Sequence, residues 1–262
     1  MRLVCFILAL GLGCAARTAN APLAEESTQP PASVSVCGKT VKVTEYEVRC
    51  SEVPAWSQLA KITGLRSLTL ADVKLAEADI ASLSRHVGLH RLDLSYTGLT
   101  DVGVRQLLKL KSLRILWANG TKLTDEGVKQ LTALQELAGL GLASTLVTNG
   151  ALAHLKDRSS LRALIIGNPT LNGAGLSHVA QLGGLISLSL RNSPVSDGDI
   201  ARLMTLENLV HLILADTNVT DAGVAQLAKL KKLKFLTLPE TVSDRAVDEL
   251  QRALPHCKIN RE

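Results

Sequence analysis

Three groups of residues have types and spacings that could do chemistry. The tetrapeptide TDEG at 124–127 sets two carboxylates beside a glycine, an arrangement that could suit a divalent cation. The same slot reads TDVG at 100–103 and TDAG at 220–223, so its constant part is a hydroxyl residue followed by Asp. That pair is helix-start chemistry: the hydroxyl or carboxylate oxygen accepts from unpaired backbone N–H groups, and Asp suits the positive helix end. His154 and His178 stand one 24-residue step apart. On neighbouring helices about 8–10 Å apart, two such rings do not share one metal. His86, His90, His211 and His256 form no constellation with a Ser or Cys. The five cysteines contain no CxxC pair or Cys/His cluster with metal-ligand spacing, and no glycine-rich phosphate loop follows a strand. No catalytic, metal-ligating or cofactor-binding residue is expected, and the chain reads as a non-enzyme.

The elements that hold these residues are aliphatic. Of the 262 residues, 46% are hydrophobic but only 2% aromatic, so Leu, Val, Ile and Ala must fill the core, as they do in repetitive architectures. The net charge of +5 is scattered, with no basic stripe interleaved with aromatics, which argues against a nucleic-acid partner.

The N-terminus, MRLVCFILALGLGC, has one Arg before an apolar run from Leu3 to Leu12, too short for a membrane span and suited to a signal peptide over 1–14. Its end, GLGC, resembles a bacterial lipobox, with Gly11 where that pattern usually has Leu. The resemblance implies lipidation of Cys14 and anchoring in a bacterial cell envelope. Cleavage at the small residues Ala19–Ala21 is the other reading. Residues 15–33, rich in Ala, Pro, Ser and Thr, read as a disordered linker. Residues 34–51 read as an N-terminal β cap. There Cys37 and Cys50 bracket a segment of β character, and in an oxidising compartment they would close a disulfide contributing about 3 kcal/mol; two separate thiols are the alternative. Cys257 is expected to be buried.

A repeat organises the rest. Thr100, Thr124, Thr148 and Thr220 are separated by multiples of 24 residues, and that frame yields eight units over 52–242, the last one residue short. In one unit, Val128, Leu131 and Leu134 share a helical face; Leu140 and Leu142 then share a strand face. A helix and strand over 243–262 close the C-terminus. No single unit can bury its apolar side, so stacked units must share one core. The spacing LxxLxxLxxLxL resembles the leucine-rich repeat family, and the form LTDxGVxxLxxLxxLxxLxLxxT is similar to a bacterial subgroup close to the cysteine-containing repeats of F-box proteins. The resemblance implies an α/β solenoid, a horseshoe with parallel strands inside and helices outside. Where that family has a turn Asn, this chain has Thr97, Thr121, Thr145, Thr217 and Thr241, whose hydroxyls are expected to bond across the turns. Pro169 and Ser193 break the column, so the turn should differ there. No F-box precedes the repeats, so an F-box-like adaptor role rests on repeat similarity alone.

Repeat proteins bind through the concave strand face. Its outward columns supply the candidate partner-binding residues Arg91, Asp93, Ile115, Trp117, Asn119, Gly139, Gly141, Ile165, Arg191, His211, Ile213 and Phe235. Trp117 beside Gly139 and Gly141 offers two readings: an anchor next to a shallow groove, or an indole folded over the glycine strip. Trp56, in the helix column of Ile80 and Val104, is expected in the core. The expected function is an exported, membrane-tethered module that binds a protein or peptide. A structural component of a cell-envelope complex is the alternative.

Overall fold

A computed structural model describes residues 33–42 and 45–262. The signal-like segment, Cys14 and the linker up to residue 32 lie outside the described residues.

The chain opens with an antiparallel hairpin, β1 (Ser33–Val36) and β2 (Lys39–Lys42). Its two turn residues, Cys37 and Gly38, both have positive φ, which matches the right-handed twist of the flanking strands. After β3 (Glu47–Arg49) and the short α1 (Trp56–Leu59), strand and helix alternate. The sequence runs β4 (Ser67–Thr69), α2 (Glu77–Leu83), β5 (Arg91–Asp93), α3 (Asp101–Leu107), β6 (Ile115–Trp117), α4 (Asp125–Leu131) and β7 (Gly139–Gly141). It continues with α5 (Asn149–Leu155), β8 (Ala163–Ile165), α6 (Gly173–Val179), β9 (Ser187–Ser189), α7 (Asp197–Leu203), β10 (His211–Ile213) and α8 (Asp221–Gln226). The last elements are β11 (Phe235–Leu238), α9 (Asp244–Ala253) and β12 (Lys258–Arg261).

Strands β3 to β12 form one ten-stranded parallel sheet in strict chain order. Each strand pairs with the next in the register of the repeat, Leu68 beside Leu92 beside Leu116 and on to Leu236. Strands need about 4.8 Å of spacing and helices about 8–10 Å, so stacking both in step forces the helices to the outside of a curve. The leucine column between sheet and helices is almost wholly buried. The fold is an α/β leucine-rich repeat solenoid.

The Thr-Asp slot starts the helices as the sequence implies. Thr124 Oγ1 accepts from Glu126 N–H at 3.3 Å, and Thr148 Oγ1 from Gly150 N–H at 3.2 Å. The Asp does more. Asp101 accepts the N–H and the hydroxyl of Thr124, one coil on, at 3.0 and 2.6 Å. Asp125 does the same for Thr148, Asp197 for Thr220 and Asp221 for Ser243. Each of these four helix starts is thus held by the preceding coil, whereas Ser196 bonds to Asp199 of its own helix. The glycine of the slot belongs to this lock, since a Cβ on Gly127 would run into Asp101 Oδ1 and one on Gly223 into Asp197 Oδ1.

The turn threonines bond within their own turn. Thr97, Thr121, Thr145 and Thr217 each donate to the carbonyl three residues earlier, at 2.6–2.7 Å. One residue before them, Tyr96, Gly120, Ser144 and Asp216 have positive φ. Asn192 keeps this conformation, so the turn at Ser193 follows the others, against expectation. Ser193 loses only the hydroxyl bond, its buried Oγ having no protein partner. Pro169 does change the turn: a residue before proline is pushed toward extended backbone, and Asn168 is absent from the positive-φ set. Its buried side chain bridges coils instead, accepting from Thr145 N–H at 3.2 Å and donating to the Val147 carbonyl at 3.3 Å.

Two further placements matter. Cys37 and Cys50 are joined in a disulfide, Cα atoms 5.3 Å apart, which ties the hairpin turn to the first strand of the sheet. Trp56, expected in the core, is only half-buried: it opens α1, and its indole N–H donates to Asp79 Oδ1 at 2.9 Å, which holds that end of the ring at the surface.

Candidate functional surface

Two columns of side chains project from the sheet away from the helices. The first runs Glu47, Ser67, Arg91, Ile115, Gly139, Ala163, Ser187, His211, Phe235, Lys258; the second runs Arg49, Thr69, Asp93, Trp117, Gly141, Ile165, Ser189, Ile213, Thr237, Asn260. All the sequence-derived candidates lie in these columns or just beyond them, but they do not form one continuous patch.

At the N-terminal end the charges neutralise one another. Arg49 pairs with Glu47 at 2.8 Å. Arg91 is half-buried, which lowers its pKa; Glu47 and Asp93 beside it pull the other way. Asp93 accepts the Ser95 N–H at 3.0 Å.

In the middle, the geometry matches the second of the two readings of Trp117, an indole folded over the glycine strip. Trp117 is only 6% exposed. Its indole lies across β7: a Cβ on Gly141 would sit 2.8 Å from Trp117 Cε3, and one on Gly139 3.5 Å from Cη2. The glycines are buried beneath the ring, so the strip is the bed of the indole and not a groove. Asn119, 4% exposed, is also occupied. It donates to Ser95 Oγ at 3.3 Å and accepts from Ala143 N–H at 3.0 Å, binding three coils together. Ile115 stays half-exposed over Gly139.

Openings appear further along. A groove of about 340 Å³ follows the C-terminal edge of the sheet from Tyr96 to Asp216. Its apolar walls include the half-exposed Ile165 and Ile213, and it passes Ala143 and Gly167. Gly167 must be small, since a Cβ would strike the Arg191 carbonyl of the next coil. Arg191 closes one end, holding Asp216 at 3.0 Å and Glu262 at 2.9 Å. Tyr96, Ser144, Asn192 and Asp216 were not among the sequence candidates. They belong to the left-handed turn column, whose only sequence mark is its place one residue before Thr97, Thr145, Ser193 and Thr217.

On the other edge His211 and Phe235 stack, ring centroids 4.6 Å apart and planes 16° from parallel. Phe235 is 41% exposed. Burial lowers the pKa of His211, and the neighbouring Lys234 lowers it further.

Elsewhere, His154 is exposed and His178 is half-buried on the outer helices. No group of three or more His, Cys, Asp or Glu among the described residues could hold a metal ion. No described helix is long and apolar enough to cross a membrane. Cys257 is buried and unpaired, and burial pushes its thiol up to about 11.

Comparison with known proteins agrees with the geometry. A leucine-rich repeat family model matches residues 89–108 and 205–228. No curated protein matches the sequence. Among solved structures, internalin C2 (inlC2) of Listeria monocytogenes is similar with a TM-score of 0.57 and 26% identity, over 77% of this chain and 85% of that one. An internalin (inlF) of the same organism is similar with a TM-score of 0.53 and 25% identity, over 69% of this chain. The match spans only about half of inlF, 49% of its length.

Proposed function

We propose that this leucine-rich repeat solenoid is a non-enzymatic module that binds a protein or peptide on the C-terminal half of its concave face. The observation that carries the reading is the groove walled by Ile165 and Ile213, continued across the sheet by the exposed Phe235. Apolar side chains left open on a rigid, pre-formed surface lower the ordering cost of association and offer area to desolvate. Ile165, Ile213, Arg191, His211 and Phe235 are the contact residues. Asn119 lines the groove with Ile165, Ile213 and Arg191, whereas Arg91, Asp93, Ile115, Trp117, Gly139 and Gly141 lie outside its lining.

We place the module outside the cytoplasm, tethered to a bacterial membrane through Cys14. The Cys37–Cys50 disulfide suits an oxidising compartment, and the signal-like run and the polar segment after it suit a lipid-anchored tether. Cys14→Ala is expected to release the protein from membranes into the soluble fraction; persistent membrane association contradicts the anchor.

The binding reading is tested by selecting displayed peptides on the purified protein and comparing them on the double variant Ile165→Glu, Ile213→Glu. Both isoleucines are half-exposed, so the fold tolerates the change. Selected peptides are expected to lose at least about tenfold in affinity on the variant. Equal affinity for both proteins removes the concave groove as the site.

A further inference from the structure

The two ends of the sheet carry charge differently. At the N-terminal end, Glu47, Arg49, Arg91 and Asp93 pair or balance. At the other end, the outward strand positions from Ser187 to Lys258 hold no carboxylate. His211, Phe235 and Lys258 follow one another across adjacent strands. The register therefore sets Lys258 about 5 Å along the ladder from the exposed ring. The turn that feeds β11 adds Lys229, Lys231 and Lys234, all exposed. Lys234 directly precedes Phe235, and its charge reaches His211. Lys232, beside them, donates to Asn208 at 2.7 Å. Among the described residues none of Lys229, Lys231, Lys234 and Lys258 is in an ion pair. Glu207, at the equivalent of Lys231 one coil earlier, forms none with them either.

From this arrangement we infer that the His211–Phe235 stack and its lysines are a docking surface for an acidic protein segment carrying an apolar side chain. The inference rests on the concave-face reading and gives it a partner chemistry. An apolar residue of the partner covers the exposed face of Phe235, and its carboxylates meet Lys234 and Lys258. Unpaired cations around an apolar centre are complementary to that composition, and such charges set association rate and partner choice. A flat anionic membrane does not fit, because the patch lies on the inner side of the curve. Single-stranded nucleic acid fits less well. The stack is a single ring pair whose inner faces are already used, and no further exposed aromatic lies along the column for successive bases. Glu47 and Asp93 would also oppose a phosphate backbone running along the sheet.

The test uses the purified full chain and four probes: a labelled peptide of Glu with interspersed Leu, its Lys-for-Glu counterpart, oligothymidylate, and phosphatidylserine vesicles. At low salt the Glu/Leu peptide is expected to bind, the Lys/Leu peptide is not, and added salt should weaken the complex. Lys234→Glu with Lys258→Glu, and separately Phe235→Ala, should each lower affinity about tenfold or more, with circular dichroism unchanged. Affinity unchanged by both variants overturns the inference. So does binding of oligothymidylate or vesicles in place of the acidic peptide. If the acidic peptide fails while selected peptides still depend on Ile165 and Ile213, this inference falls and the concave-face reading stands. If the isoleucine variant is also silent, both fall.

Discussion

Trp117 and Phe235 project from the same sheet into the same hollow, yet one is covered and the other open. Their neighbours decide the difference. Next to Trp117 the following strand is Gly-Leu-Gly, and the indole lies down on it. Next to Phe235 stand His211 on one side and Lys258 on the other, so the ring stacks on one face and stays exposed. In a repeat sheet, an aromatic becomes structure or contact surface according to the size of the residue one coil away. The outward strand positions differ in charge as well: Glu47, Arg49, Arg91 and Asp93 carry both signs at the N-terminal end, and from Ser187 to Lys258 there is no carboxylate.

The sharpest way to break this contrast is truncation. Trp117→Ala is expected to cost about 3 kcal/mol in urea unfolding, as for a buried aromatic. Phe235→Ala should cost under about 0.5 kcal/mol, as for a surface change. Equal costs would show that the two rings play the same part. A smaller effect comes from filling the bed. Gly141→Val puts side-chain atoms where the indole lies and should cost about 2 kcal/mol. In a Trp56→Phe background it should also shift the remaining tryptophan emission to the red; unshifted emission means the indole does not rest on Gly141.

The smallest effect is with pH. His211 has its pKa lowered from 6.5 by burial first and Lys234 second. The unfolded chain therefore binds more protons in the window below 6.5, and stability is lost as pH falls through it toward the folded value. His86, lowered by burial, contributes in the same direction. His211→Gln should flatten part of this acid slope and leave the part owed to His86. An unchanged slope would mean that His211 is as hydrated folded as unfolded.

What could be read from the residues was what recurs. The leucine columns, the Thr-Asp helix starts and the strand positions repeat every coil, and each repetition restates the same packing problem. The lock between Asp101 and Thr124 was half visible. The spacing within one unit shows a cap for one helix, and its reach into the next coil needs the stacking distance. The fate of Trp117 was not decided, since spacing puts the side chain on a face but does not choose its rotamer. Of the groove, the walls Ile165 and Ile213 with Asn119 and Arg191 are legible as positions in the strand columns or just beyond them, but its rim is built from turn positions such as Tyr96 and Asp216. These vary in type and share only a backbone conformation.

Amide hydrogen exchange, with and without the tightest selected peptide, tests the central claim most directly. Slowed exchange is expected over β8 to β11 and the turns at Asn192 and Asp216, with β3 to β5 and the outer faces of α3 to α8 unchanged. Protection confined to the outer helices, or spread evenly over β3 to β5, would contradict a binding surface on the C-terminal half of the concave face.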